Sequence, residues 1–323
     1  MIYLMAIAGL ALLLLTGDLL VRGAVGVACR LGIPPLVIGL TIVAFGTSAP
    51  ELMICIQAAL AGSPGIAIGN VVGSNIANVF LVLGIPAMIY PIACNQPRVM
   101  QNALMMLAAS FVFAGLAYTG QFGFAEGAFL MALVFAFLWY SAKGSRQAGV
   151  SDEELLEVDG VSATPHSLPM ALALILAGLV GLPIGAHFLI NGATEIAREF
   201  QVGEEVIGLS LVAIGTSLPE FATTLAAAFR RHSDVAIGNV IGSNVFNLLA
   251  IMGATAMVAP VPVPPGFLAL DIWVMVFSAF VLLPFILRRG VINWPVGMLF
   301  ILAYIGYLIF IFYDGRKMMM TIG

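Results

Sequence analysis

Apolar runs of about 20 residues follow one another from end to end of this chain, each long enough to cross the roughly 30 Å hydrocarbon core of a bilayer. A segment inside lipid must satisfy its backbone hydrogen bonds internally, and a helix does so by itself. A membrane β-barrel would show short alternating segments instead. Of the 323 residues, 62% are hydrophobic and 9% charged, against roughly 45–50% and about 25% in soluble domains. Such a chain cannot coat a water-facing surface, so it reads as an all-α membrane protein whose surroundings are the lipid bilayer. The net charge of −4 is small; no nucleic-acid partner is expected and no obligatory protein partner is evident.

Polar and Pro/Gly breaks divide the apolar runs into ten expected transmembrane helices near residues 3–29, 35–60, 66–90, 101–119, 124–142, 169–191, 205–228, 236–258, 266–287 and 293–313. If the first connection faces the cytoplasm, the inside connections hold Arg30, Arg98, Lys143, Arg146, Arg230, Arg231, Arg288 and Arg289. The outside then holds Arg198, Arg316 and Lys317. The positive-inside rule therefore places both termini outside. The chain divides into a first half, 1–142, an acidic cytoplasmic linker, 143–168, and a second half, 169–323. That linker carries Asp152, Glu153, Glu154, Glu157 and Asp159 without EF-hand spacing. Gly17, Asp18 and Arg22 follow the first apolar stretch as part of a spanning helix, so no cleavable signal peptide is read there. Cys29, Cys55 and Cys94 lack metal-ligand spacing and read as buried free thiols.

Residues 39–78 align without a gap on 208–247 at a constant offset of 169, with about half of the positions identical. The first copy reads GLTIVAFGTSAPEL from Gly39 to Leu52, then GNVVGSNIAN from Gly69 to Asn78. The second reads GLSLVAIGTSLPEF from Gly208 to Phe221, then GNVIGSNVFN from Gly238 to Asn247. Five spans, an odd number, separate corresponding points, so the second copy crosses the membrane in the opposite sense. The expected fold is thus two inverted five-helix repeats with discontinuous helices at the shared site, an arrangement that places substrate between the repeats near mid-membrane.

Glu51 and Glu220 fall near the middles of the second and seventh spans, where an acid costs at least ~2.5–3.5 kcal/mol to insert. A buried carboxylate is protonated, paired with a base or bound to a cation, and neither motif contains Lys or Arg. Pro50 and Pro219 precede the acids, each removing a helical N–H and displacing the carbonyl of Gly46 or Gly215. Thr47 and Thr216 lie four residues before their Glu, on the same face. Carboxylates, hydroxyls and freed carbonyls are hard oxygen donors that suit Ca²⁺ or Na⁺. On the following helix Asn70, Ser74 and Asn78 form a polar stripe, repeated by Asn239, Ser243 and Asn247. Asn70 and Asn239 read as interhelical hydrogen-bonding residues, and Gly69, Gly73, Gly238 and Gly242 as close-packing positions.

Both motifs together make the chain resemble the calcium/cation antiporter superfamily, most closely its prokaryotic sodium/calcium exchanger branch, along its whole length. The resemblance implies antiport of Ca²⁺ against Na⁺ by alternating access, with those ions as the transported partners and no cofactor, in a prokaryotic cell (inner) membrane. It implies that Glu51 and Glu220 are the central carboxylates. Thr47, Ser48, Thr216 and Ser217 would add hydroxyl or carbonyl oxygens, and Ala44 and Ala213 main-chain carbonyls. Ser74, Asn78, Ser243 and Asn247 would be the ligands from the third and eighth helices. Potassium-dependent members carry Asp where this chain has Asn247, which implies exchange without K⁺.

A Ca²⁺/H⁺ antiporter remains the nearest alternative, because the same carboxylates can release protons, and a passive cation channel is a further one. No H-E-x-x-H, G-x-S-x-G or paired catalytic aspartates occur, so an enzyme is not expected. Among other polar residues, Asp18 and Arg22 stand one turn apart and are expected to pair. His187 is expected to pack with a hydrogen bond, and Glu126 and Asp271 to sit at helix starts, where the macrodipole favours an acid.

Overall fold

The computed structural model describes residues 2–33, 35–96, 98–147, 167–199 and 213–322. The chain is a bundle of helices with two short β-ladders in its connections. In order, the helices are α1 (Ile2–Leu31), α2 (Pro35–Thr47), α3 (Ala49–Leu60), α4 (Pro64–Ile89), α5 (Val99–Ala117) and α6 (Phe124–Gln147). They continue with α7 (Leu168–Glu199), α8 (Ala213–Thr216), α9 (Leu218–Phe229), α10 (Ser233–Val258), α11 (Phe267–Leu287) and α12 (Trp294–Ile322). Among the described residues eight helices are long and apolar enough to cross a membrane, or nine if the bent pair α2–α3 is one span. The protein is therefore a multi-pass integral membrane protein. Residues 205–212 of the expected seventh span and 148–166 of the acidic linker lie outside the described residues, and α6 runs on to Gln147.

Burial ranks the helices. Of the apolar windows in α10 and α4, 94% and 72% of residues are buried inside the protein, against 17–44% in the other long spans. The two helices that carry the second half of each motif are thus the centre, and the others screen them from lipid. Gly238 and Gly242 let α10 approach α2: a Cβ on Gly242 would lie 2.6 Å from the Leu40 carbonyl oxygen, and one on Gly238 2.8 Å from that of Leu36.

Reciprocal contacts mark the two copies as structural counterparts. α1 and α7 run antiparallel, with Gly192 against Ala6 at one end and Gly23 against Ala171 at the other. Gly84 abuts Gly297, and Gly253 abuts Gly127. The ladders follow the same rule. β1 (Ile92–Ala93) pairs antiparallel with β4 (Val291–Ile292), while β2 (Gln121–Phe122) pairs with β3 (Val261–Pro262). Each ladder joins a connection in the first 142 residues to a connection beyond residue 168.

Several expectations need correction. Asp18 does not take Arg22 as the partner of its carboxylate; both its oxygens are engaged by Arg230, with Nη2 at 2.8 Å and Nε in closer contact. Tertiary approach of α9 to α1, with Gly17 against Ala222, overrides the pairing that local spacing favours. His187 hydrogen-bonds Asn191 at 2.9 Å, yet it is exposed rather than packed. Cys55 and Cys94 are buried, whereas Cys29 is half-buried; none of the three is in a disulfide. Glu126 sits as expected, accepting the Gly123 N–H at 2.9 Å at the start of α6. Asp271 lies in the first turns of α11 and accepts the Tyr307 hydroxyl at 2.8 Å.

Candidate ion site

Helix breaks put the two acids where they stand. Ser48 adopts φ −85° and ψ 1°, and Ser217 φ −86° and ψ 6°, so neither residue continues the helix before it. The proline that follows can join a helix only in its first turn, where its missing N–H is no loss. Accordingly α3 and α9 begin afresh, with Pro50 and Pro219 in their opening turns and Glu51 and Glu220 directly behind. The break bends α2–α3 by 41°. Each acid consequently occupies a helix N-terminus, where the backbone dipole favours negative charge. Both are 1% exposed.

The central helices widen at the matching place. A wide π-type stretch covers Asn78–Val82 in α4 and Phe246–Ile251 in α10, placing Asn78 and Asn247 at or within it. Such bulges re-aim side chains and backbone at functional sites.

Hydrogen bonds cross from one copy of the motif to the other. Ser48 Oγ donates to Glu220 Oε1 at 3.0 Å. Thr47 Oγ1 donates to the Ala44 carbonyl at 3.2 Å and reaches Asn239 Oδ1 at 3.5 Å, while Thr216 Oγ1 donates to Asn70 Oδ1 at 3.1 Å. Asn239 Nδ2 donates to the Glu220 carbonyl at 3.2 Å and to Thr224 Oγ1 at 3.0 Å. Asn70 and Asn239 thus make the interhelical bonds expected of them.

What these bonds omit is more informative. Among the described residues, eleven buried side-chain N and O atoms have no hydrogen-bond partner in the protein. Nine of the eleven belong to Glu51, Ser74, Asn78, Ser217, Glu220, Ser243 and Asn247, every one a residue singled out from the sequence; the other two are on Ser141 and Thr255. Buried polar atoms are nearly always paired, because leaving one unpaired costs about 1–3 kcal/mol. Such a cluster therefore points to a ligand. Its donors are carboxylate, hydroxyl and amide oxygens, with a formal charge of −2 when both acids are ionised, and among the described residues no group of three or more His, Cys, Asp or Glu gathers to favour a transition metal. Ala44 opens the turn before the first break, and Ala213 is the first residue of α8, at the corresponding place.

Four residues escaped the sequence reading. Cys55 accepts from Asn70 Nδ2 at 3.3 Å, the part Thr224 plays for Asn239. Asn78 Nδ2 donates to Asn244 Oδ1 at 3.1 Å, and Asn244 Nδ2 to the Asn75 carbonyl at 3.3 Å, tying α4 to α10. The signal was present, because 55 and 224, like 75 and 244, correspond at the repeat offset.

A bent span, a second helix break at Ser217, a central helix pair and a buried pair of acids between two copies of one motif describe an ion-handling membrane protein. The chain belongs to the sodium/calcium exchanger protein family, whose model matches residues 1–143 and 170–313. It is 30% identical to the sodium/calcium exchanger MaX1 of Methanosarcina acetivorans, covering 96% of this chain and 98% of that one. It is 34% identical to the inner membrane protein YrbG of Escherichia coli (strain K12), over 88% of each. The solved structure of the sodium-calcium exchanger NCX_Mj superposes with a TM-score of 0.80 at 32% identity, covering 93% of this chain and 95% of that one.

Proposed function

We propose that this protein is a secondary active antiporter that exchanges Ca²⁺ for Na⁺ across a prokaryotic cell membrane by alternating access, carrying ions and performing no covalent chemistry. Ten spans in two inverted halves, 1–142 and 169–323, joined by the cytoplasmic linker 143–168, would leave both termini extracytoplasmic. Glu51 and Glu220 hold one Ca²⁺ between them. Thr47, Ser48, Thr216 and Ser217 with the carbonyls of Ala44 and Ala213 line the two bends, and Ser74, Asn78, Ser243 and Asn247 close the site from α4 and α10. The observation that carries this reading is the set of nine unpartnered buried atoms on seven of these residues. Family membership and the names of MaX1 and NCX_Mj support Na⁺ as the counter-ion.

Purified protein reconstituted into Na⁺-loaded vesicles and diluted into Na⁺-free medium is expected to accumulate ⁴⁵Ca²⁺, and to stop when internal Na⁺ is replaced by choline. Uptake driven by a pH gradient without Na⁺ would overturn the choice of counter-ion. Equal uptake with no opposing gradient would overturn antiport.

A further inference from the structure

Asn70 and Asn239 stand beside the ion site yet contribute no unpaired atom to it. Both amides are engaged on both sides in a duplicated pattern. Each amide nitrogen is anchored within its own copy of the motif, on the residue one helical turn beyond the acid. Asn70 donates to Cys55 Sγ at 3.3 Å, four residues after Glu51, and Asn239 donates to Thr224 Oγ1 at 3.0 Å, four residues after Glu220. The Cys55 thiol passes the chain on to the Ala67 carbonyl at 3.6 Å. Each amide oxygen then faces the other copy, where it meets the threonine at the bend: Thr216 donates to Asn70 at 3.1 Å, and Thr47 reaches Asn239 at 3.5 Å. A thiol stands in one copy where a hydroxyl stands in the other, and the anchoring role survives the exchange.

We infer that Asn70 is a positioning residue that orients Thr216, the bend threonine of the opposite copy, by accepting its hydroxyl proton; at Thr47 the nearer acceptor is the Ala44 carbonyl, at 3.2 Å against 3.5 Å for Asn239. A hydroxyl has one proton and two lone pairs. Once the proton points at an amide oxygen, only lone pairs remain to face the site, and a cation needs lone pairs. Anchoring of the amide nitrogen keeps the side chain from flipping, so that its oxygen, not its NH₂, meets the threonine. The acid-bearing helix α3 is thereby tied, through Asn70, to the bend of the other copy. The inference rests on the Ca²⁺ site proposed above.

The test is a set of double-mutant cycles read by equilibrium ⁴⁵Ca²⁺ binding to purified full-length protein. Losing one neutral hydrogen bond is expected to weaken binding about 2- to 12-fold in Asn70→Ala, and Thr216→Val, which also removes a proposed oxygen ligand, should lose at least as much. The matched double variant should bind no more weakly than the weaker single, because both substitutions break one link. The mismatched pair, Asn70→Ala with Thr47→Val, breaks two links, and its losses should multiply. Thr216→Ser keeps the hydroxyl and should bind more tightly than Thr216→Val. Cys55→Thr, which installs the residue used by the other copy, should also bind normally, whereas Cys55→Val, with the same shape and no acceptor, should not. This last comparison stands even if Asn70→Ala fails to fold.

Matched losses that multiply like mismatched ones, or equal binding by Cys55→Val and Cys55→Thr, would overturn the clamp. Glu51→Gln separates the two proposals. If it weakens binding about 10-fold or more while the cycles show no matched coupling, the clamp falls and the ion site stands. If it binds Ca²⁺ like the parent, or the parent binds none, the ion site falls and the clamp with it.

Discussion

Replacing Glu51 or Glu220 with Gln tests the ion site in a way that separates binding from folding. Glutamine preserves the size of the side chain but removes a charge and one acceptor position. Among the described residues neither oxygen of Glu51 has a hydrogen-bond partner, and one oxygen of Glu220 has none, the other accepting from Ser48. Little protein–protein bonding is lost with either substitution, and an acid that is costly to bury disappears. Ion-free protein should consequently unfold at the parent temperature or slightly above it. Ca²⁺ binding moves the other way, since one charge-assisted contact is worth about 1.5–3 kcal/mol, or roughly 10- to 150-fold in affinity. At a Ca²⁺ concentration 100 times the parent dissociation constant, binding stabilises the parent by about 2.7 kcal/mol. After a 100-fold loss the same concentration only half-saturates the variant and stabilises it by about 0.4 kcal/mol. Thermal unfolding in detergent, with Ca²⁺ and with chelator, reads both quantities, and ⁴⁵Ca²⁺ exchange should fall in step. As both acids act on one ion, the double variant should transport little less than either single. Folded single variants that keep the parent Ca²⁺-dependent shift and exchange rate would refute the shared site.

Orientation is open to labelling: a cysteine introduced at Gly323 should react with an impermeant reagent from outside and one at Asp152 should not, and the reverse pattern would invert the topology. With Asn247 neutral where potassium-dependent family members carry Asp, Na⁺-driven Ca²⁺ uptake should persist when K⁺ is withdrawn from both sides under controlled membrane potential; its loss would contradict this. Gly242→Ala forces a Cβ to 2.6 Å from the Leu40 carbonyl and 2.7 Å from the Ala44 side chain, so it should cost about 1–3 kcal/mol, seen as a lower unfolding temperature; an unchanged midpoint would show that α2 and α10 can part freely. Asp18→Asn and Arg230→Gln should each cost about 1 kcal/mol or less, because the pair is 31% and 22% exposed and partly screened; a double variant twice as damaging as either single would deny the pairing.

Hydropathy and duplication carried most of the reading. The helices α4 and α11 end within two residues of the spans drawn from composition, because runs of apolar residues bounded by Pro, Gly and charge have few other ways to lie in lipid. The candidate ligands were legible for a different reason. An acid repeated at a fixed offset in an apolar span must have a compensating partner, and so must the polar stripe on the next helix. What escaped depended on distance in the chain. The pairing of Asp18 with Arg230 spans 212 positions, and no local spacing reveals it. Exposure of His187 was hidden too, since it depends on which face α7 turns towards α1. Asn75 and Asn244 repeat as faithfully as the ligands, but only the crossing of α4 and α10 shows that they bond to the opposite copy or its neighbours.

The two copies share a sequence pattern, yet they do not share a set of contacts. Ser48 donates to Glu220, whereas the hydroxyl of Ser217 and both oxygens of Glu51 have no partner among the described residues. Asn78 donates across to Asn244, while both amide atoms of Asn247 are unpaired. Leu179 of α7 lies against Gly46 at the first bend and Ile190 of α7 against Gly215 at the second. α7 therefore covers both bends, and Leu10 of α1, the repeat counterpart of Leu179, is 46% exposed. If each copy adopted the contacts now made by the other, the residues identical at the repeat offset, among them Ser48 and Ser217 and the two acids, would exchange partners. Inverted copies would turn that exchange of roles into a change of the face to which the site opens. Under the proposed antiport, the asymmetry of the contacts, set against the repetition in the sequence, would correspond to one of two alternating states around the two acids.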